Sequence, residues 1–324
     1  MKKRILVLGG TMFVGRILVE KLKELPHYEL TLFNRGKSNA NLYADVNQLH
    51  GDRETDDILQ ICNQEWDCII DFSGYYPVTF ERLLNDLRGK VKRYIFISTV
   101  SVYNLGKFEG RAVTEVDEIH GCTEEQKASR LPDAYGEKKA EMERILQAQD
   151  WLDKIILRPS FIYGRFDWTN RFYYWLYRAK FSDRILMPKD SSVAFTYAED
   201  LAAGILNAVE TDEHQTIYNT ISQNGTSLRE VVNIAANLLD REVEFVDADA
   251  SVGAGEGLHG ATFPLSVPMN INIEGTKWFD DFDISPVDFT RAIEESIEYY
   301  DSLRWPEPGI GLSVAKEKEI LGES

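Results

Sequence analysis

The segment that most restricts this chain begins at its fourth residue. RILVL, residues 4–8, is almost wholly apolar and runs straight into Gly9-Gly10-Thr11-Met12-Phe13-Val14-Gly15. A short apolar run without polar alternation predicts a strand covered on both faces. Val14, Ile17, Leu18 and Leu22 then recur at helical spacing, so residues 13–25 are expected to form a helix with one apolar stripe. Strand, glycine turn and helix N-terminus together make an anion site. The helix end offers unpaired N–H groups and partial positive charge, and the glycines allow a tight turn and close backbone approach. The expected guest is a dinucleotide pyrophosphate.

The same alternation continues along the chain. Strands are expected at 29–33, 46–50, 68–72, 93–99 and 154–159, and helices at 78–87 and 133–149. This spacing predicts an α/β fold, a Rossmann-type doubly wound parallel sheet with right-handed crossovers. Beyond residue 165 the pattern is less regular. Helices are expected at 172–180, 200–210, 227–239 and 286–303, with short strands at 194–197 and 216–219. A length of 324 residues suggests two units. They are a dinucleotide-binding domain over 1–165, completed by segments within 194–220, and a smaller, interleaved C-terminal substrate lobe over 166–324. Residues 248–260 contain Gly253, Gly255, Gly257 and Gly260 and few apolar anchors, so a loop is expected there, with His259 solvated on it.

Charge narrows the partners. The net charge is −17, and residues 166–324 carry 12 basic against 28 acidic side chains. An acidic surface repels phosphate backbones, so no nucleic-acid partner is expected. The histidines are scattered, with no HxH or HxxxH, and no metal site is expected. Cys62, Cys68 and Cys122 are odd in number and form no CxxC, which suits free thiols in a reducing compartment. The opening MKKRILVLGG imitates a signal peptide until Gly9-Gly10 interrupts it. No apolar run approaches the roughly 18 residues that span a bilayer. A cytoplasmic protein acting on a small molecule, without a membrane partner, is the expectation.

Two further motifs carry chemistry. Asn34-Arg35-Gly36-Lys37-Ser38 follows the second expected strand. An acidic residue there would bind both ribose hydroxyls of NAD, and none is present. Arg35, helped by Lys37 or Ser38, suits a 2′-phosphate, so NADP is preferred over NAD. Tyr135 and Lys139 form a YxxxK whose side chains share one helix face. A phenol titrates near 10. A cation about 4 Å away contributes up to roughly 4 kcal/mol at an effective dielectric near 20, enough to lower a pKa by about three. Lys139 together with an oxidised nicotinamide would bring Tyr135 into working range.

Taken in order, the glycine turn, Ile97-Ser98-Thr99-Val100-Ser101-Val102-Tyr103, the YxxxK and Leu157-Arg158-Pro159-Ser160-Phe161-Ile162-Tyr163-Gly164 resemble the extended short-chain dehydrogenase/reductase family. That family includes sugar-nucleotide epimerases and dehydratases. Its usual GxxGxxG has a glycine where this chain has Met12. The GGTxFxG form is similar to a divergent branch that includes bacterial epimerase-like proteins and a chloroplast RNA-binding member. The resemblance implies that Thr99, Tyr135 and Lys139 are catalytic, with Ser98 and Ser101 as rivals of Thr99. It further implies that Asp52 and Arg53 meet adenine, that Ser73 and Gly74 lie beside the cofactor ribose and pyrophosphate, and that Pro159 and Phe161 line the nicotinamide face. A homodimer through the helices near 78–88 and 133–149 is implied too. Asn170 and Arg171 are polar candidates for substrate contact, and Arg171 and Arg184 are the candidate cations for a substrate diphosphate. The expected activity is an NAD(P)-dependent oxidoreductase or epimerase working at a hydroxyl or carbonyl carbon of a sugar nucleotide or small molecule. A non-catalytic dinucleotide-binding regulator or an RNA-binding relative is the alternative.

Overall fold

The computed structural model describes residues 2–39, 41–249, 252 and 262–322. His259 and most of the expected glycine-rich loop lie outside the described residues. The chain runs β1 (Lys3–Leu8), α1 (Phe13–Lys23), β2 (Tyr28–Asn34), β3 (Asn47–His50), β4 (Trp66–Asp71), α2 (Pro77–Asp86), β5 (Val91–Ile97), α3 (Glu124–Ala128), α4 (Tyr135–Gln147) and β6 (Asp153–Pro159). It continues through β7 (Phe161–Tyr163), α5 (Arg171–Phe181), β8 (Arg184–Met187), β9 (Ser192–Tyr197), α6 (Ala198–Ala208), β10 (Ile217–Thr220) and β11 (Gln223–Ser227). Last come α7 (Leu228–Leu238), β12 (Glu244–Asp247), α8 (Lys277–Asp281), α9 (Phe289–Ser302) and α10 (Val314–Ile320).

Side-chain alternation in β1 explains its apolar sequence. Ile5 and Val7 enter the core shared with α1 and α6, whereas Leu6 and Leu8 enter the core shared with α2 and α4. A strand buried on both faces has no position for a polar residue. Seven parallel strands result, in the order β10-β6-β5-β4-β1-β2-β3. The order reverses between β1 and β4, and a crevice opens at the carboxyl ends of the strands beside such a switch point.

A second apolar core lies around α5, α7, α9 and a three-stranded sheet of order β11-β9-β7. Phe172, Tyr173, Tyr174 and Trp175 are all buried in it. Tyr163 stacks on Phe172 at 4.2 Å between ring centroids and Tyr173 on Tyr300 at 3.7 Å. These aromatics are therefore packing residues. The expected strand at 194–197 belongs to this smaller sheet, and only β10 joins the main one. Strands β7, β8, β11 and β12 were not expected, because runs of three to five residues are too short to display a period. No helix among the described residues is long and apolar enough to cross a membrane.

One buried ion pair fixes α4 against the sheet. Glu143 of α4 is fully buried and accepts from Arg158 Nε of β6 at 3.0 and 3.1 Å. Ser98, just beyond β5, also donates to Glu143. Arg158 donates in turn to Tyr103, whose hydroxyl donates to Asn219 of β10 at 2.8 Å. Three strand ends and one helix thus share a single satisfied polar network. Removing one partner leaves a buried charge uncompensated, at a cost of about 3–5 kcal/mol. Glu143→Ala is expected to lose that much stability in urea denaturation, and a loss below about 1 kcal/mol would contradict the assignment.

Candidate active site

The glycine turn is held by backbone geometry. Gly9 and Gly10 adopt φ of +109° and +91°, which L-residues with side chains rarely tolerate. The Gly9 N–H donates to the Phe33 carbonyl at 3.0 Å, tying the turn to β2. A Cβ on Gly15 would lie 2.9 Å from the Gly10 backbone, so α1 can start this close to β1 only with glycine there. Met12 occupies the N-cap without a capping side-chain bond, and no acidic residue stands in the first turn of α1. The first N–H groups of the helix therefore keep their capacity for an anion. Met12 is 39% exposed and helps to line the cleft that opens over the turn.

A cleft of about 740 Å³ opens over this turn. All seven residues from Gly9 to Gly15 line it, with Asn34, Arg35, Lys37, Asp52, Arg53, Ser73, Ser98, Thr99, Ser101, Tyr135, Lys139, Pro159, Phe161 and Arg171. Five of its lining residues are basic and two, Asp52 and Glu54, are acidic. In a chain of net charge −17, this basic excess fits the phosphates of a dinucleotide. Among the described residues Arg35 and Lys37 have no ion-pair partner, and both are exposed at the end of β2. The Asn34 side chain is engaged with Gln48 and the Gly36 N–H.

Two expected contacts fall away. Gly74 is buried beneath the cleft, where a Cβ would meet Phe96 at 2.8 Å, so it serves close packing rather than ligand contact. Asn170 sits outside the cleft wall and donates to the Pro308 carbonyl at 2.8 Å. Arg184 is likewise elsewhere, on β8, paired with Glu244. Of the two candidate substrate cations, only Arg171 lines the cleft.

The three expected catalytic side chains meet at one wall. A Cβ on Gly136 would lie 2.1 Å from the Ser101 carbonyl oxygen, so glycine lets the start of α4 press onto the short 3₁₀ turn Val100–Val102. That contact sets Tyr135 near Thr99. β5 ends at Ile97 rather than at the expected Thr99, because the Thr99 hydroxyl caps this turn by accepting from the Ser101 N–H at 3.1 Å. It also donates to the Ser101 hydroxyl at 3.2 Å. Ser98 is committed to Glu143, which removes it as a rival.

The electrostatics differ from the simple expectation. Burial, with Tyr75 adding to it, holds the Tyr135 phenol above its ordinary value, while a hydrogen bond with Thr99 and the charge of Arg171 pull it back. Among the described residues Lys139 makes no hydrogen bond to the phenol. Its ammonium donates to the Ile97 carbonyl at 2.7 Å and lies 6.0 Å from the Tyr135 ring centroid. Burial lowers Lys139 to about 7, against the opposing pull of Asp71. A group so placed is about half-protonated at neutral pH and responds to any charge brought into the cleft.

Asp71 is a residue that the sequence reasoning missed. It ends β4, is fully buried, and pairs with Arg53 Nη1 at 2.6 Å. Tyr94 donates to it at 2.7 Å and the Ser73 N–H at 2.8 Å. Burial works against its charge, but Arg53, Tyr94 and Ser73 outweigh burial and hold the carboxyl below its ordinary value. Arg53 therefore reaches the cleft already paired. An acidic residue closing an apolar strand was the available signal.

Comparison with known proteins agrees with this geometry. The model of the NAD dependent epimerase/dehydratase family matches residues 5–220. A chloroplast stem-loop binding protein of 41 kDa from Arabidopsis thaliana is 27% identical over 228 residues, 64% of this chain and 55% of that protein. A 3 beta-hydroxysteroid dehydrogenase/Delta 5→4-isomerase of Mycobacterium tuberculosis is 29% identical over 190 residues, 51% of this chain and 49% of that protein. The chain thus spans about half the length of the curated relatives it matches. The structure of UDP-glucuronic acid 4-epimerase from Bacillus cereus, with UDP-glucuronic acid and NAD, superposes with a TM-score of 0.69 at 17% identity. The match covers 93% of this chain and 99% of that one, and it shows a shared fold.

The lysine offers a pH test. Its folded value near 7 lies below its ordinary 10.5, so between these limits the unfolded chain binds the extra proton. Stability from this group therefore rises with pH across that window. Relative to Lys139→Met, the natural protein is expected to gain about 2–3 kcal/mol between pH 7 and 9 in urea denaturation. Parallel pH profiles for the two proteins would contradict the assignment.

Proposed function

The chain belongs to the NAD dependent epimerase/dehydratase family, and from that premise we propose that it is an NADP-linked oxidoreductase or epimerase acting at a hydroxyl or carbonyl carbon of a small molecule. The observation that carries the reading is the convergence of an uncapped helix end, unpaired Arg35 and Lys37, and the Thr99, Tyr135 and Lys139 wall on one cleft. A bound nicotinamide supplies a hydride donor or acceptor. Tyr135 moves a proton to or from the substrate oxygen, and Thr99 orients that oxygen through its hydroxyl. Lys139 keeps the Tyr135 wall positive when protonated and is anchored by the Ile97 carbonyl. Glycines 9, 10 and 15 hold the backbone open for the pyrophosphate, with Thr11 to Val14 around it.

Arg35 supports NADP over NAD. A guanidinium without a carboxylate partner matches a 2′-phosphate by charge-assisted bonds, whereas Asn34 cannot replace the acidic residue that holds two ribose hydroxyls. We place the protein in the cytoplasm, where its three free cysteines remain reduced. A homodimer through α2 and α4 belongs to the same reading. No nucleic-acid partner is proposed, despite the relative named for stem-loop binding. The basic side chains of the cleft occupy a recess, and the net charge of −17 opposes a phosphate backbone.

Three outcomes follow from this reading. Tyr135→Phe is expected to lower turnover by about 10²–10⁴-fold while leaving NADPH affinity intact. An unchanged rate across a panel of nucleotide sugars and small ketones would count against it. Arg35→Ser is expected to weaken NADPH binding by about 10–100-fold and NADH binding little, measured by fluorescence titration. Light scattering is expected to give about twice the chain mass of 37.1 kDa.

A further inference from the structure

The cleft has a second end, beyond the Tyr135 wall. Arg171, the first residue of α5, lies there with Phe161, Trp168, Thr169 and Ser160. Its Nε donates to the Thr169 hydroxyl at 3.3 Å, and its guanidinium lies 5.7 Å from the Phe161 ring centroid. Among the described residues its terminal nitrogens have no protein partner. The nearby Asp167 acts on it by charge but forms no ion pair with it; Asp167 Oδ1 accepts from the Thr169 N–H at 2.9 Å and hydroxyl at 2.6 Å, while Oδ2 is buried without a partner among the described residues. Arg178, Arg229, Arg241 and Arg291 all have carboxylate partners. Ser160, which also lines the cleft, has its hydroxyl buried without a hydrogen-bond partner among the described residues.

A half-buried guanidinium whose terminal nitrogens lack partners costs free energy unless a ligand completes it. Of the other basic residues in the cleft, Arg53 is paired with Asp71, Lys139 is bonded to Ile97, and Arg35 and Lys37 stand at the end of β2. Among the described residues, Arg171 is therefore the one basic side chain at the substrate end, and it has no ion-pair partner. A diphosphate brings two charges, whereas one carboxylate matches one planar fork bidentately. We propose that Arg171 receives a carboxylate of the substrate, making the substrate a small hydroxy or keto acid. The inference rests on the reading of Tyr135 as the proton-transfer residue, and it adds the group that fixes the reacting carbon beside it.

The test uses the NADP-loaded protein and four probes: D-glucuronate, 3-hydroxybutyrate and the methyl ester of each. Calorimetric titration and initial rates are recorded for the natural protein, Arg171→Gln, Arg171→Lys and Tyr135→Phe. At least one acid is expected to bind tenfold or more tightly than its ester. Arg171→Gln should erase that preference and Arg171→Lys restore part of it, with NADPH affinity as the control for folding. Tyr135→Phe should keep the preference while turnover falls. Equal binding of acid and ester, binding of neither acid, or a preference that survives Arg171→Gln overturns the proposal. So does tighter binding of inorganic phosphate than of both acids. Undiminished turnover in Tyr135→Phe sinks the catalytic reading instead, and the binding titration then decides the carboxylate site by itself.

Discussion

Everything at the cofactor end depends on one backbone contact. The Gly15 Cα sits so close to Gly10 that a methyl group would overlap it. This approach lets α1 begin directly above β1 and aims its uncapped N–H groups into the crevice at the switch point. Gly10 is confined equally from the other side, with Val7, Val19 and Leu32 each within 3.3 Å of where its Cβ would be. The apolar packing of β1, β2 and α1 therefore sets the position of the anion site. The middle residue of the turn is outside this vice, which is why Met12 can stand where a glycine is usual.

The catalytic wall is placed by a similar device combined with a buried charge pair. Gly136 allows α4 to touch the Ser101 carbonyl, and seven residues further along the helix Glu143 locks onto Arg158. One contact sets the distance of the helix from the strand end, and the other sets its rotation. Together they give Tyr135 and Lys139 different environments although they share a helix face. Tyr135 is 44% exposed toward the cleft, whereas Lys139 is buried and bonded to the end of β5. A spacing of four residues indicates a common face but not equal depth. The lysine accordingly lies 6.0 Å from the Tyr135 ring centroid, farther than the contact of about 4 Å assumed from that spacing.

How much was legible follows from the length and symmetry of each signal. The main sheet could be read because its strands are buried on both faces and alternate with amphipathic helices. The short strands of the smaller sheet could not, since Phe161–Tyr163 and Gln223–Ser227 draw their pairing from partners distant in sequence. At the site, motif residues fixed by backbone geometry were readable: the glycine turn, Thr99, Tyr135 and Lys139 all line the cleft. Gly74 and Asn170 were misplaced because neighbours of a lining residue need not line the cleft themselves. Asp71 was invisible as a site residue because its importance comes from Arg53 and Tyr94, neither adjacent to it in the chain.

Charge distribution joins these points. An excess of acidic groups is concentrated after residue 165, yet many basic residues of that lobe are already spent on ion pairs. Exposed pairs of this kind contribute little to stability. They do remove cations from competition, so the potential inside the cleft is set by the few that remain. Those few stand at its two ends, Arg35 and Lys37 beside β2 and Arg171 beside Phe161, with Tyr135 between them. A bound molecule carrying a phosphate at one end and a second ligand carrying an acid at the other would meet over the phenol. On the proposed reading each end would take its own partner, with the Tyr135 phenol between the two.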